Sequence, residues 1–190
     1  MSRKYVIGIG IAIVVLLVNQ IFIQYQLGQM ESDASLINLA GRQRMLSQQI
    51  NLEWYEIHFQ GKQSQAVTSL FEEWKAAHHH LLDQYAHSRS FNAPAIKRHL
   101  TSLTPYVELM EGQVEGDSIS ALMLKQLTQN QADFLEVMND AVNLMQQDSE
   151  RKLFRIKIIE IVLLLVSLGI IILEVIHIFL PIEKRLTGTN

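Results

Sequence analysis

Apolar residues fill two stretches of this chain almost without interruption, and between those stretches they recur every three or four positions. Tyr5 to Ile23 is apolar except for Asn19 and Gln20, and Ile158 to Leu180 is apolar except for Glu160, Glu174 and His177. Each approaches the roughly 20 residues that an α-helix needs to cross about 30 Å of hydrocarbon. The intervening stretch carries the period of amphipathic helices. Alternating β-branched runs and Asn-Gly or Asp-Gly turns, the marks of strands and hairpins, are absent from it.

The period places the elements. A first helix leaves the first span, runs to about Phe59 and stops near Gly61. A second carries Val67, Leu70, Phe71, Trp74, Leu81 and Tyr85 and ends before Ser88. Asn92 and Pro94 are start signals for a third, with Ile96, Leu100, Leu103, Val107 and Met110 on its apolar face. Thr104-Pro105 should kink or restart that helix. Gly112 and Gly116 bracket the next turn. Asp117 or Ser118 caps a fourth helix, which carries Met123, Leu127, Phe134, Met138, Ala141 and Met145 and meets no proline or glycine before the second span.

Four helices with short links and one apolar stripe each predict an all-α fold, an antiparallel four-helix bundle flanked by two transmembrane helices. The expected boundaries are residues 1–24 for the first span with its short tail, 25–155 for the bundle, 156–180 for the second span and 181–190 for a short segment after it. The first and last bundle helices each continue into a span. Their relative movement is therefore mechanically connected to the membrane.

Charge orients this arrangement. Basic residues gather at the membrane edges: Arg3 and Lys4, then Arg151, Lys152, Arg155 and Lys157, then Lys184 and Arg185. The first and last of these groups place both termini in the cytoplasm by the positive-inside rule. The middle group opposes that rule, but the long intervening domain leaves Arg3 and Lys4 to decide the topology. The first span has no small-residue cleavage site after it, so it reads as an uncleaved anchor rather than a signal peptide. Between Tyr25 and Glu150 acidic residues outnumber basic ones, which argues against nucleic-acid binding. The chain has no cysteine, which excludes disulfides and thiolate metal sites. It also lacks a P-loop, a nucleophile elbow and a zinc-protease motif. The expectation is a non-enzyme that needs no cofactor.

One block departs from a plain core pattern. Residues 36–48 read Leu-Ile-Asn-Leu-Ala-Gly-Arg-Gln-Arg-Met-Leu-Ser-Gln, and they put two arginines, a glycine and several side-chain amides into an otherwise apolar helix. At about 100° per residue, Leu36, Leu39, Gln43, Leu46, Ile50 and Trp54 fall on one face, the ordinary core stripe. Asp33, Ile37, Gly41, Arg44, Gln48 and Asn51 fall on an adjacent face. That second stripe suits a homodimer seam, at which Gly41 allows close backbone approach across a two-fold axis. Glycine costs about 1 kcal/mol of helix propensity relative to alanine, so a packing or functional gain is expected. At such a seam two copies of Arg44 meet and repel unless an anion lies between them, held by charge-assisted bonds. The plainer alternative is that Arg44 pairs with an acidic residue such as Asp33 or faces solvent. Arg42 points to a more exposed face and reads as solvated.

The run from Asp33 to Gln48, with its Ile-Asn-x-Ala-Gly-x-x-Arg-Met core, resembles the signature of the PilJ-type sensor domain. This is the N-terminal domain of type IV pilus methyl-accepting chemotaxis proteins, related to the sensing domain of bacterial nitrate/nitrite sensor kinases. The resemblance extends to the bundle between two spans, the glutamate late in the second span and the proline after it. It implies a periplasmic four-helix bundle that acts as a homodimer in the bacterial inner membrane. It also implies that the arginine of the core, Arg44 here, binds an anion at the dimer interface, with Gly41 as the motif glycine. The candidate ligand-binding set is Arg44, Gly41, Ile37 and Gln48. The nitrate sensors have uncharged residues between the glycine and the arginine, whereas this chain has Arg42-Gln43, the PilJ-like version. The ligand is thus left open, with nitrate one candidate.

Other features carry two readings each. Glu174 is either a polar contact between helices that helps transmit a signal or, with His177, a group that snorkels to the interface. His80, Asp83 and His87 share a helical face and suit zinc or copper, though a solvated face is the plainer reading. Trp54, Trp74 and the methionines at 123, 138 and 145 read as core. Pro181 to Leu186 resembles the start of a HAMP-like signalling helix. The chain is either the input half of a longer receptor, with a downstream cytoplasmic signalling domain, or a sensor that acts on a partner. Two functions remain in view. One is a transmembrane sensor of a small ligand, possible anions included, which passes helix displacement across the membrane. The other is a membrane-anchored helical module that docks a partner protein without a small ligand.

Overall fold

The computed structural model describes residues 3–61, 65–114 and 120–176. Gly116, Asp117, Ser118, His177 and the stretch from Pro181 to Leu186 lie outside the described residues, as do Lys184 and Arg185 and the side chains of Arg3, Lys4 and Met123. Five helices follow in order: α1 (Arg3–Gln60), α2 (Gln65–His87), α3 (Ala93–Ser102), α4 (Thr104–Val114) and α5 (Ala121–Glu174). The all-α expectation holds. By contacts the chain divides into two compact units, Ser32–Glu150 and the pair Met1–Glu31 with Arg151–Asn190.

Breakers set the helix ends in the first unit. α1 stops where Gly61 adopts a positive φ of 67° and its N–H bonds the carbonyl of Ile57 at 3.1 Å. Only glycine takes that left-handed conformation without a Cβ penalty. α3 opens at Asn92 with Pro94 in its first turn, where a missing N–H costs nothing. Pro105 restarts the chain as expected, because it has no N–H to continue the α3 ladder. Leu103 ends α3, and its carbonyl then accepts from Tyr106 and Val107 of α4. Gly112 was expected to open a turn, yet α4 runs past it to Val114. The reason is packing, since Gln113 is buried and Val114 lies against the core.

α3 and α4 together form the third arm of a four-arm bundle. α1 and α5 run antiparallel: Arg44 bonds Asn139, and Tyr55, eleven positions on, bonds Thr128, eleven positions back. Trp74 lies at the centre of the core. Its ring is 5.3 Å from Phe134 of α5 and 5.7 Å, edge-on, from Tyr106 of α4. The expected core residues Val67, Phe71, Leu81, Ile96, Leu100, Leu103, Val107, Met110, Leu127, Met138, Ala141 and Met145 are all buried, with Leu70 and Tyr85 packed at the edge.

The second unit contains the two apolar stretches, in helices long and apolar enough to cross a membrane. Their side chains are bare. Ile21 is 68 % exposed and Leu164 is 65 % exposed, with most apolar neighbours similar. Contiguous apolar surface of this extent calls for a non-aqueous surrounding. Asn19 donates to Ser167 Oγ at 2.9 Å, and Ser167 donates to the carbonyl of Leu163. The two polar residues thus satisfy one another between helices. Oε1 of Glu174 is buried and has no hydrogen-bond partner among the described residues.

Candidate functional site

α1 is polar on part of its inward face. Gln43, Ser47 and Asn51 are buried with Ala40, Leu46, Ile50 and Trp54. Gln43 Nε2 donates to the carbonyl of Trp74 at 2.9 Å, and Trp74 Nε1 donates to the carbonyl of Gln43 at 3.1 Å. Ser47 donates to the carbonyl of Arg44. Asn51 Nδ2 donates across a long 3.5 Å to the hydroxyl of Tyr106. Burial pushes that hydroxyl up to about 12, against the opposing pull of Asn51. His78 of α2 shares a 3.4 Å contact with the hydroxyl of Thr104 and is fully buried. Burial, then the charge of His79, brings its pKa down to about 4. Gln43 Oε1, Asn51 Oδ1, Trp54 Nε1 and His78 Nδ1 are buried without a hydrogen-bond partner among the described residues.

Asn51 therefore leaves the outer stripe to which the angular reading assigned it. Tyr106 draws it inward, because a side-chain amide and a phenol bury at lower cost together than alone. Leu36, Leu39 and Ile37 are partly buried against the core.

The outer face of α1 is apolar to an unexpected degree. Met45 is 47 % exposed, Leu52 58 % and Phe59 71 %. With Gly41, Gln48 and Tyr55 they follow the three-four spacing of a single helical face. The angular pattern predicts Gly41 and Gln48 on this face but not Met45, Leu52, Tyr55 and Phe59. The available signal was an apolar repeat offset from the core stripe.

Arg44 flanks this face and is half-buried. Its Nη1 donates to Oδ1 of Asn139 at 2.6 Å. An amide oxygen orients a guanidinium but does not neutralise it. A Cβ placed at Gly41 would stand 3.7 Å from Arg44 Nη2, an ordinary contact. The packing within this chain therefore tolerates alanine at 41. The structure thus brings Gly41 and Arg44 together, with Ile37 one turn before and Gln48 one turn after. Arg42 reaches solvent as expected, but it also pairs with Glu73 at 2.5 Å.

The α2–α3 corner holds a polar cluster that the sequence did not announce. The buried carboxylate of Asp148 accepts the backbone N–H of Asn92 at 3.0 and 3.2 Å, and Asn92 Nδ2 donates to the carbonyl of Leu144. Burial, then the charges of Asp33 and Asp148, pushes the Tyr85 hydroxyl upward. Nδ1 of His87 contacts the backbone carbonyl of Asp83 at 3.0 Å, and no cluster of three metal-ligating groups occurs among the described residues.

Residues 25–138 match the PilJ family, described as the type IV pili methyl-accepting chemotaxis transducer N-term. No curated protein matches the chain.

Proposed function

This chain belongs to the PilJ family, and from that premise we propose that its bundle is a homodimeric periplasmic sensor that takes a small anion at a seam along α1. The family is a sensory one, so the chain is a chemoreceptor-type signal-transduction input domain, and its two long apolar helices fit an inner-membrane setting.

The observation that carries the finer reading is the exposed apolar pair Met45 and Leu52 on the face of Gly41 and Gln48, with the guanidinium of Arg44, held by the amide of Asn139, at its edge. An exposed apolar helix face rimmed by polar residues marks an interaction surface. A glycine that the chain's own packing does not require fits a close approach by a second copy. At a two-fold seam, Ile37, Gly41 and Gln48 meet their symmetry mates and two Arg44 side chains converge. A small planar oxyanion such as nitrate or nitrite offers each guanidinium a bidentate partner, and each such charge-assisted bond contributes about 1.5–3 kcal/mol. The empty seam is repelled apart and the occupied one is clamped. α1 and α5 carry the change toward a cytoplasmic signalling domain or partner.

Titration calorimetry of the full chain in lipid nanodiscs with nitrate and with nitrite tests this. Binding that is lost in Arg44→Ala supports the assignment, and binding unchanged in that variant sinks it. The chain has no native cysteine, so Ile37→Cys and Gln48→Cys report cross-linking without background. Disulfide-linked pairs in membranes are expected.

A second reading is a membrane-anchored module that docks a partner protein without a small ligand. It draws on an open groove of about 290 Å³ between α4 and α5, floored by Leu103, Pro105, Tyr106, Leu109, Phe134 and Val137. Failure of both cysteine variants to cross-link would favour it.

A further inference from the structure

The four basic residues Arg151, Lys152, Arg155 and Lys157 stand at the bundle end of the second apolar stretch. Within the membrane unit, Lys152, Arg155, Ile156 and Ile159 share one face of α5, at the spacing of consecutive helical turns. That face meets α1 at Tyr25, Gln26, Gln29 and Met30 around an open cavity of about 310 Å³. The lining is graded along the helices. Lys152, Arg155 and Gln29 are at the end leading to the bundle, while Ile156, Ile159 and Tyr25 are at the end leading into the apolar stretch. Tyr25 and Phe154 are both largely exposed, as aromatic residues at a headgroup boundary are.

We infer that this cavity is a binding site for an anionic phospholipid, with the headgroup phosphate against Lys152, Arg155 and the glutamine amides and an acyl chain along Ile156 and Ile159. The argument is complementarity in two respects. Two cations with amide donors match one phosphodiester, and a zwitterionic choline headgroup would set its own cation against them. A free phosphate matches the charge but leaves the isoleucine floor without a partner. Basic residues near a membrane surface attract anionic headgroups, at roughly fivefold in affinity each.

The inference rests on both apolar helices crossing a membrane, and its test separates the two. The full chain is reconstituted into vesicles of equal phosphatidylglycerol and phosphatidylcholine, washed with alkaline carbonate, extracted gently and weighed by native mass spectrometry. The expected result is an integrated chain that retains phosphatidylglycerol several-fold over phosphatidylcholine. The double variant Lys152→Gln with Arg155→Gln should fall to near parity, and the charge-retaining pair Lys152→Arg with Arg155→Lys should keep the preference. Equal retention by the wild type, a preference unchanged in the glutamine variant, or its loss in the charge-retaining one would overturn the site. Displacement of the lipid by millimolar inorganic phosphate would do the same. A chain stripped by carbonate would overturn the membrane reading and the site together.

Discussion

Lowering the pH from 7 to 5 should destabilise the bundle through His78. The ring is fully buried in α2, and its pKa stands near 4 against 6.5 in a solvated chain. Above pH 6.5 the ring is neutral whether folded or unfolded, and its contribution to stability is fully present. Between 6.5 and 4 the unfolded chain binds a proton that the folded bundle refuses, so stability falls as pH drops. The slope is about 1.4 kcal/mol per unit for one group, which gives a loss of about 2 kcal/mol at pH 5 and about 3 kcal/mol by pH 4. His78→Leu removes this term. Carboxylates also titrate in this range, but they cancel when the wild type is compared with the variant at each pH. Both tryptophans of the chain lie in the bundle core, so urea unfolding followed by tryptophan fluorescence reads the bundle even with the spans in detergent. The stability difference between wild type and His78→Leu should shift by about 2 kcal/mol between pH 7 and pH 5, in favour of the leucine variant at the lower pH. An unchanged difference would refute the reasoning.

Three further outcomes use the same fluorescence assay. Phe134→Ala opens a cavity against Trp74 and Tyr106 and should cost about 3–5 kcal/mol, enough to leave much of the bundle unfolded. Asp148→Ala strands the half-buried N–H of Asn92 and should cost about 1–3 kcal/mol. Gly41→Ala, in dilute detergent where chains are apart, should raise stability by up to about 1 kcal/mol, because its Cβ meets only the flexible tip of Arg44.

Most helix ends were legible because they carry a local cause, whereas the end of α4 was set by packing beyond Gly112. Gly61, Pro94 and Pro105 act on their own backbones, and no distant residue is needed to read them. The apolar spans are legible for the same reason. The polar interior was not, because its partners come from elsewhere in the chain. Asn51 looks like a surface residue until Tyr106, 55 positions away, supplies its hydroxyl. Asp148 looks like a solvated aspartate until Asn92, 56 positions away, turns its N–H inward. The outer stripe of α1 failed differently. Met45 and Leu52 are apolar, and a rule that sends apolar residues inward cannot see a helix with two apolar faces. The helical period puts Arg44 beside Gly41, but its hold on Asn139 depends on how α5 lies against α1.

The paired bonds between Gln43 and Trp74 restrict how α1 can move. One bond runs from the side chain of α1 to the main chain of α2, and the other runs from the side chain of α2 to the main chain of α1. Sliding α1 by a single residue, about 1.5 Å along its axis, would break both at once. The axial register of α1 and α2 is therefore locked, and a piston stroke must carry the two helices as one body. Against α5, α1 is held by side-chain tips, Arg44 on Asn139 and Tyr55 on Thr128, which can follow a short stroke by changing rotamer. α5 is tied in turn to the α2–α3 corner, where Asp148 takes the N–H of Asn92 and Asn92 Nδ2 donates to the carbonyl of Leu144, so α5 shares the register of α2 at that end.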